Sequence, residues 1–517
     1  MNNTPANKPT WAQSFTALWD RRVLILALLG FSAGLPILLI FSSLSLWLLE
    51  AGVERKAVTF FSWAALGYSF KFVWAPLVDR MPLPWLTRVM GQRRSWLLLA
   101  QLGVVAALLG MAGVDPAEGG TSQAWMAALA VLLGFSSATQ DVVIDAYRIE
   151  LAPPDLQALL SSAYIAGYRV GMIAAGAGAL YLASYWGSAK DAYVYSAWQQ
   201  TYTVMAGAMG VGILTNWLMP EPQRPAGAVW SASGNLRLVA VFAGGVGAFV
   251  AVFFWLGQAT QALFADAGLG PLSSLALEAL RLTLALAAAL GVGRVMVSVG
   301  VAQAEVARAT WVVPVQDFFA RYGARTAWLL LALIGLYRIS DIVLGVISNV
   351  FYADMGFSKI EIANAVKTYG VIIGIVGGFL GGILATRWGV MRCLFWGAVM
   401  AALTNLAFVA LAQAGHNLPL MYAVVSADNL AAGFASAAFV AFLSSLVNVS
   451  FTATQYALFS SLMTLLPKSL GGYSGGMVDA LGYPGFFVVT SLMGLPVIAL
   501  VVLAGRHLAL KEHNKNN

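Results

Sequence analysis

The chain has 517 residues, of which 60% are hydrophobic and only 10% charged, with a formal net charge of +7. Soluble domains carry about 25% charged residues, so this composition excludes a soluble globular protein and implies an integral membrane protein. A single cysteine, Cys393, excludes an intramolecular disulfide and a cysteine metal cluster, and the three scattered histidines form no ligand pair, so neither metal nor cofactor is expected.

A spanning helix needs roughly 20 apolar residues. Fourteen runs qualify, at about 23–48, 57–77, 95–114, 124–146, 156–184, 197–219, 236–258, 274–300, 326–352, 361–385, 391–413, 418–446, 452–479 and 484–505. The first is too long for a signal-peptide core and is expected to stay as an anchor. Gly34-Leu35-Pro36 falls mid-run and predicts a kink, because proline removes a helix hydrogen bond. The basic residues collect on alternate loops. Arg21, Arg22, Arg80, Arg88, Arg93, Arg94, Arg148, Arg224, Arg237, Arg308, Arg321, Arg325, Arg387, Arg392, Arg506, Lys511 and Lys515 share one side, against Arg55, Lys56, Lys190 and Lys359 on the other. Positive residues stay inside, so both termini are expected in the cytoplasm, and this distribution argues against nucleic acid as a partner.

The stretch Gly134–Glu150 is the most informative. It places Gln140, Asp141, Asp145 and Arg148 on the last turns of a helix, with Asp141 and Asp145 on one face and Arg148 three residues on. Carboxylates near membrane depth are costly and face a protein interior or a water-filled cavity. The chain also repeats itself. Ala158-Leu159-Leu160-Ser161-Ser162 recurs as Ala457-Leu458-Phe459-Ser460-Ser461, and in that register Arg169 falls on Lys468. Leu77-Val78-Asp79-Arg80 with Gly91-Gln92-Arg93-Arg94 is echoed by Ala385-Thr386-Arg387-Trp388-Gly389 and Arg392. Two homologous six-helix halves account for both echoes, with substrate expected at the repeat interface. The resulting division is 1–222 for the N-terminal bundle, 223–310 for a linker and an inserted two-helix hairpin, and 311–517 for the C-terminal bundle. Arg281 and Arg294 in the hairpin are expected to snorkel or to pair locally.

The Asp-Arg…Gly-x-Arg-Arg loop resembles the signature of the major facilitator superfamily, with an insertion at Met81–Met90 and Thr386 in place of the acid in the second copy. The implied fold class is an all-α integral membrane protein of the major facilitator superfamily, two six-helix halves plus two inserted helices, fourteen in total. Six further stretches resemble the AmpG-type muropeptide permeases. They are Gly30–Pro36, Phe70–Arg80, Ser137–Tyr147, Leu336–Asp341, Ser426–Leu430 and Ser450–Leu458, in order over about residues 20–505. The resemblance implies a bacterial inner-membrane transporter, not an enzyme, working as a monomer. It also implies proton-driven import of N-acetylglucosaminyl-1,6-anhydro-N-acetylmuramic acid and its peptides, for cell-wall recycling and β-lactamase induction signalling.

An importer of an anionic glycopeptide needs cations for carboxylates, polar and aromatic surface for sugars, and a titratable acid for coupling. By position within their helices, Arg169, Arg338 and Lys468 are expected near the bilayer centre, with Asp341 and Asp428 at similar depth and Lys71 nearer a helix end. Arg169, Lys468 and Arg338 are the expected anion ligands; the alternative is that each is neutralised by a buried acid and fixes packing. Gln140, Asn429 and Gln455, with Trp63, Tyr164 and Tyr168, are the expected sugar contacts. Asp341, Asp428 and Asp141 are the coupling candidates, since a carboxylate that loses its counter-charge takes up a proton. Asp79, Arg80, Arg93, Arg94, Asp145, Arg148 and Arg387 are the expected inner gate, with Asp145 and Arg148 reaching the surface to bond the basic loop. The competing classes are an acetyl-coenzyme A transporter, a tetrapyrrole-pigment assembly factor on the same fold, and a membrane enzyme, for which no nucleophile elbow, metal pair or phosphate loop is found.

Overall fold

The computed structural model describes residues 19–53, 68, 70–153, 156–189, 192–223, 232–264, 271–471 and 474–516. The chain is helical almost throughout; the β structure among the described residues is one isolated bridge between Ala189 and Ala192. The N-terminal helices are α1 (Arg21–Glu50), α2 (Ala75–Arg80), α3 (Gln92–Ala112), α4 (Gly120–Leu151), α5 (Gln157–Tyr185), α6 (Tyr195–Ala208) and α7 (Gly210–Leu218). The inserted hairpin is α8 (Ala232–Phe264) and α9 (Pro271–Ser298). After it come α10 (Val313–Tyr322), α11 (Ala324–Leu336), α12 (Ile339–Asp354), α13 (Ile360–Trp388), α14 (Val390–Ala414), α15 (Leu418–Ser445), α16 (Thr452–Gly471), α17 (Ser474–Leu492) and α18 (Gly494–Asn516).

Eleven helices among the described residues are long and apolar enough to cross a membrane. Three of the fourteen expected runs have no counterpart among these eleven. The run at 57–77 lies mostly outside the described residues. The run at 197–219 is interrupted at Met209, and that at 452–479 is divided between α16 and the start of α17. Gly482, with φ 68°, breaks α17 beside Pro484, where a left-handed residue suits glycine.

Pro36 does what its position predicts. The turn after it widens to a π-helical segment at Leu39–Ser43, and the loosened backbone is satisfied from neighbouring helices. Tyr202 Oη donates to the Leu39 carbonyl at 2.9 Å, and Ser43 Oγ donates to the Ala175 carbonyl at 3.0 Å. In a bilayer such groups find no water, so these side chains are what permits the irregular turn. Below it, α1 and α5 touch backbone to backbone: a β-carbon on Gly30 or Gly167 would overlap the carbonyl of Tyr164 or Ala27. Small residues allow this approach in membranes, where packing rather than water exclusion drives association.

The C-terminal helices close around an aromatic core of Phe351, Tyr352, Phe408 and Phe487, with Phe351 and Phe487 edge-on at 4.8 Å. The hairpin is the least buried pair of spans, as lipid-facing helices should be. It leans on the N-terminal bundle through Phe249 against Phe70 at 5.6 Å. Arg281 is buried in it, with its guanidinium 3.9 Å over the Phe253 ring and Nε donating to the Phe253 carbonyl at 2.7 Å, so it pairs locally rather than snorkelling.

Candidate functional site

Residues Ser136–Ile149 of α4 are buried without a gap, although an amphipathic helix would expose one face each turn. The reason is contact on all sides, from α1, α2, α3, α5 and α16. Charges in this stretch must therefore find partners inside the protein. Lys71 Nζ lies 3.8 Å from Asp145 Oδ2, and Arg148 Nη2 lies 3.5 Å from Asp145 Oδ1. Asp141, a turn deeper, accepts from Tyr164 Oη at 3.4 Å and feels the charges of Lys71 and Asp145. Tyr164 and Tyr168 stand side by side with ring centres 5.9 Å apart. Gln140 is fully buried and donates to the Ser32 carbonyl at 3.0 Å, which ties α4 to α1.

The C-terminal half carries a second cluster where the chain leaves α11 and enters α12. Arg338 occupies that break, its Nη1 donating to Ser436 Oγ at 2.8 Å and its Nε 3.4 Å from Asp341 Oδ2. Asp428 on α15 lies within electrostatic reach of both Arg338 and Asp341, and has no hydrogen bond or ion pair among the described residues. Asn429 donates to the Val425 carbonyl in its own helix at 3.0 Å. Arg169 reaches this region from α5, with Nη1 3.5 Å from the Val371 carbonyl on α13, and the charges of Arg169 and Arg338 oppose each other. One guanidinium from each half is therefore within electrostatic reach of the other, and Arg338 is within reach of two carboxylates as well. Trp63 lies outside the described residues, as does the side chain of Lys468.

At the basic end the two halves are joined. Asp79 accepts from the backbone N–H groups of Ala453 and Thr454 at 3.0 and 2.8 Å and from Thr454 Oγ1 at 2.7 Å, so its carboxylate sits on the N-terminus of α16. Arg93 holds Asp79 from the other side at 2.8 Å and Glu150 at 2.6 Å. The Arg80 guanidinium is 5.5 Å from the Phe451 ring centre. Fully buried Arg148 donates through Nη1 to Gln157, Ser161 and, across the halves, Ser444 at 2.9 Å. Ser162 Oγ donates to the Gly378 carbonyl at 2.6 Å. The hydrogen bonds between the halves among the described residues lie at this end or at the depth of Arg169.

Three expectations are corrected here. Asp145 and Arg148 do not reach the surface to meet Arg80, Arg93 and Arg94; burial among the surrounding helices turns them onto Lys71 and Ser444. Lys71, which opens the short 3-10 helix Lys71–Val73 ahead of α2, faces the Asp145 carboxylate from there. Arg94 instead donates to the carbonyls of Asn216 and Trp217 at the end of α7, where unsatisfied carbonyls suit a cation. Gln455 is no sugar contact: Nε2 donates to the Pro314 carbonyl and Asp317, and Oε1 accepts from Asn448 N and Arg321. It sits in the first turn of α16 at the basic end and clamps α10. Its replacement by alanine is expected to lower thermal stability in detergent by about 1–3 kcal/mol while leaving the substrate KM unchanged. A raised KM would return Gln455 to the pocket. Arg387 stands in the last turn of α13 at the same end.

Sequence reasoning missed Glu150, Glu221, Thr454, Ser436 and Ser444. Glu221 accepts from the backbone N–H groups of Arg93 and Arg94, capping α3, and burial nonetheless holds its carboxyl above the usual range. Thr454 alone carried a local signal, a hydroxyl in the first turn of a helix.

Paired helix bundles with buried charges where they meet define a multi-pass membrane protein with the major facilitator superfamily fold. The solved structure of the proton:xylose symporter XylE with 6-bromo-6-deoxy-D-glucose aligns over 94% of this chain and 95% of its own, with a TM-score of 0.55 at 12% identity. The human organic anion transporter MFSD10 aligns over 95% and 100%, with a TM-score of 0.51 at 15% identity. The chain belongs to the AmpG family: it is 30% identical over 483 residues to a Rickettsia conorii protein bearing the name AmpG 4, covering 93% of this chain and 96% of that one. It is also 29% identical to the anhydromuropeptide permease of Escherichia coli K12, covering 96% and 82%. Residues 22–208 match the family model described as acetyl-coenzyme A transporter 1.

Proposed function

We propose that this protein imports N-acetylglucosaminyl-1,6-anhydro-N-acetylmuramic acid and its peptides across the bacterial inner membrane, coupled to proton entry. The product serves cell-wall recycling and β-lactamase induction signalling. The observation that carries the reading is the meeting of Arg169 and Arg338, one from each half, beside Asp341 and Asp428. Two opposed guanidinium groups hold a carboxylate-bearing substrate well, each in bidentate fashion. Lys468 occupies the repeat position of Arg169 and is assigned to the same site. Tyr164, Tyr168, Trp63, Gln140 and Asn429 are assigned to the sugars, and Asp141, Asp341 and Asp428 to proton coupling. Asp79, Arg80, Arg93, Arg148 and Arg387, with Asp145 behind them, form the inner gate. The working units are 1–222, the hairpin region 223–310 and 311–517, in a monomer with both termini in the cytoplasm.

The match of residues 22–208 to an acetyl-coenzyme A transporter model favours a second reading, since that substrate is also anionic. That match ends before Arg338, Asp341 and Asp428, which is why the muropeptide reading is preferred. The test is uptake of labelled GlcNAc-anhydromuramyl peptide into vesicles with and without an imposed proton gradient, with acetyl-coenzyme A as competitor. Gradient-dependent muropeptide uptake, indifferent to acetyl-coenzyme A, is expected. Saturable acetyl-coenzyme A uptake in its place would reverse the assignment, and gradient-independent muropeptide uptake would remove proton coupling.

A further inference from the structure

Helix α13 is rich in glycine, and most of its glycines have an ordinary explanation. A β-carbon on Gly377 or Gly381 would meet the backbone of Leu430 or Phe434, because α13 and α15 pack closely there. One on Gly370 would meet Asn429 and Val425, and one on Gly382 would meet Ser162 and the start of α5. Gly374 is different. The three atoms nearest to a β-carbon there all belong to Arg169: Nη1, which it would overlap, Cζ at 2.9 Å and Nη2 at 3.2 Å. No backbone and no helix-packing partner stands among them.

We infer that Gly374 is a positioning residue for the anion site: it is the seat on which the Arg169 guanidinium rests, presented toward Arg338. This rests on the reading of Arg169 as a substrate ligand. Arg169 belongs to α5 and its seat to α13, so the side chain crosses from one half to the other to reach it. The hold is weak by design of the surfaces in contact. A glycine face offers no polar group, and the one carbonyl within reach, that of Val371, is at 3.5 Å, the outer limit of a hydrogen bond. The guanidinium is thus placed by shape while its donors stay free for an incoming carboxylate. A methyl at 374 fills the seat and displaces the guanidinium, the far end of a flexible side chain, without touching the helix scaffold.

The experiment compares uptake kinetics of labelled GlcNAc-anhydromuramyl peptide for wild type, Gly374→Ala, Arg169→Lys, Arg169→Gln and Gly374→Ala with Arg169→Lys. Gly345→Ala on α12, where a β-carbon meets nothing within 4 Å, is the control for a glycine lost from a spanning helix. Gly374→Ala is expected to raise KM by about tenfold or more, the scale of one displaced charge-assisted bond, with Vmax kept within about twofold. Lysine brings a compact ammonium with no planar fork to collide with the methyl, so adding Gly374→Ala to Arg169→Lys should cause no further loss. The two changes would then be non-additive, as residues in contact are. An unchanged KM for Gly374→Ala, a fall confined to Vmax, or losses that multiply in the double variant would each overturn the inference. Arg169→Gln separates the two levels. If it leaves KM unchanged, the anion-site reading itself has failed; if it raises KM while Gly374→Ala does not, only the seat has.

Discussion

Arg338→Gln is expected to abolish concentrative uptake, whereas Arg169→Gln should raise KM while leaving what uptake remains dependent on the proton gradient. Both substitutions remove one of two guanidinium groups that lie within electrostatic reach of each other. Truncating one partner of a desolvated charged contact costs about 2–5 kcal/mol, on the order of 30-fold or more in affinity. The two residues then part company. Arg169 stands 3.5 Å from a carbonyl and near another cation, so its loss leaves no carboxylate without a counter-charge. Arg338 is 3.4 Å from Asp341 and within reach of Asp428, so its loss leaves two acids facing each other without the cation between them. Two carboxylates in one low-dielectric space do not both ionise, and at least one then holds its proton permanently. Coupling fails with binding. Uptake and counterflow, measured with and without an ionophore, distinguish these outcomes, because counterflow needs binding and alternation but no gradient. Counterflow and gradient-driven uptake lost in equal proportion in both variants would show that Arg338 and Asp341 are a fixed structural pair.

How much of this was legible in the sequence follows from what each feature depends on. The apolar runs and the irregular backbone after Pro36 rest on local hydropathy and local chemistry, and eleven of the fourteen runs are helices long enough to span. The run Ser136–Ile149 is buried throughout, because charged side chains in an apolar run leave no alternative to an interior. Arg169 and Arg338 were singled out by depth, a property that counting along a helix supplies. Partners were harder. The latch drawn from Asp145 and Arg148 to the basic loop assumed that a helix end reaches water. The helices packed around that end instead turned Arg148 onto Ser444, 296 residues away. Nothing at Ser444 itself marks such a contact. Gln455 was misread because an amide in an apolar helix suggests a pocket, although its place in the first turn of its own run already set it at the basic end. Depth deserved more weight than polarity. Glu221 was invisible for the opposite reason: it lies in the Pro-rich stretch after α7, where sequence reads as linker, and its role arises from folding back on α3.

Asp79→Asn should open the basic end. The Asp79 carboxylate takes three hydrogen bonds from the first turn of α16, two of them from backbone N–H groups that no residue of that helix can satisfy, and it carries an ion pair to Arg93 as well. A negative charge at a helix N-terminus also meets the positive end of the helix dipole. Hydrogen bonds to a charged group are worth about 1.5–3 kcal/mol each. Asparagine keeps one oxygen, presents an N–H₂ to donors that need an acceptor, and leaves Arg93 to Glu150 alone. The closed arrangement should lose about 3 kcal/mol or more relative to one in which α16 has moved away, over 100-fold in the gate equilibrium. Alkylation reads this directly. Ala158 is buried at 1% exposure where the start of α5 meets the C-terminal helices, and Cys393 is the sole native thiol. In a Cys393→Ser background, Ala158→Cys should resist a membrane-impermeant maleimide in inside-out vesicles, and Asp79→Asn should make it react. Transport should fall in parallel, because a carrier resting open to the basic side rarely returns to collect substrate from the other. Asp79→Glu, which keeps the charge, should restore much of the protection. If the thiol stays equally shielded in Asp79→Asn, the carboxylate is an incidental cap, and the weight of the gate passes to Arg148 with Ser444 and to Ser162 with Gly378.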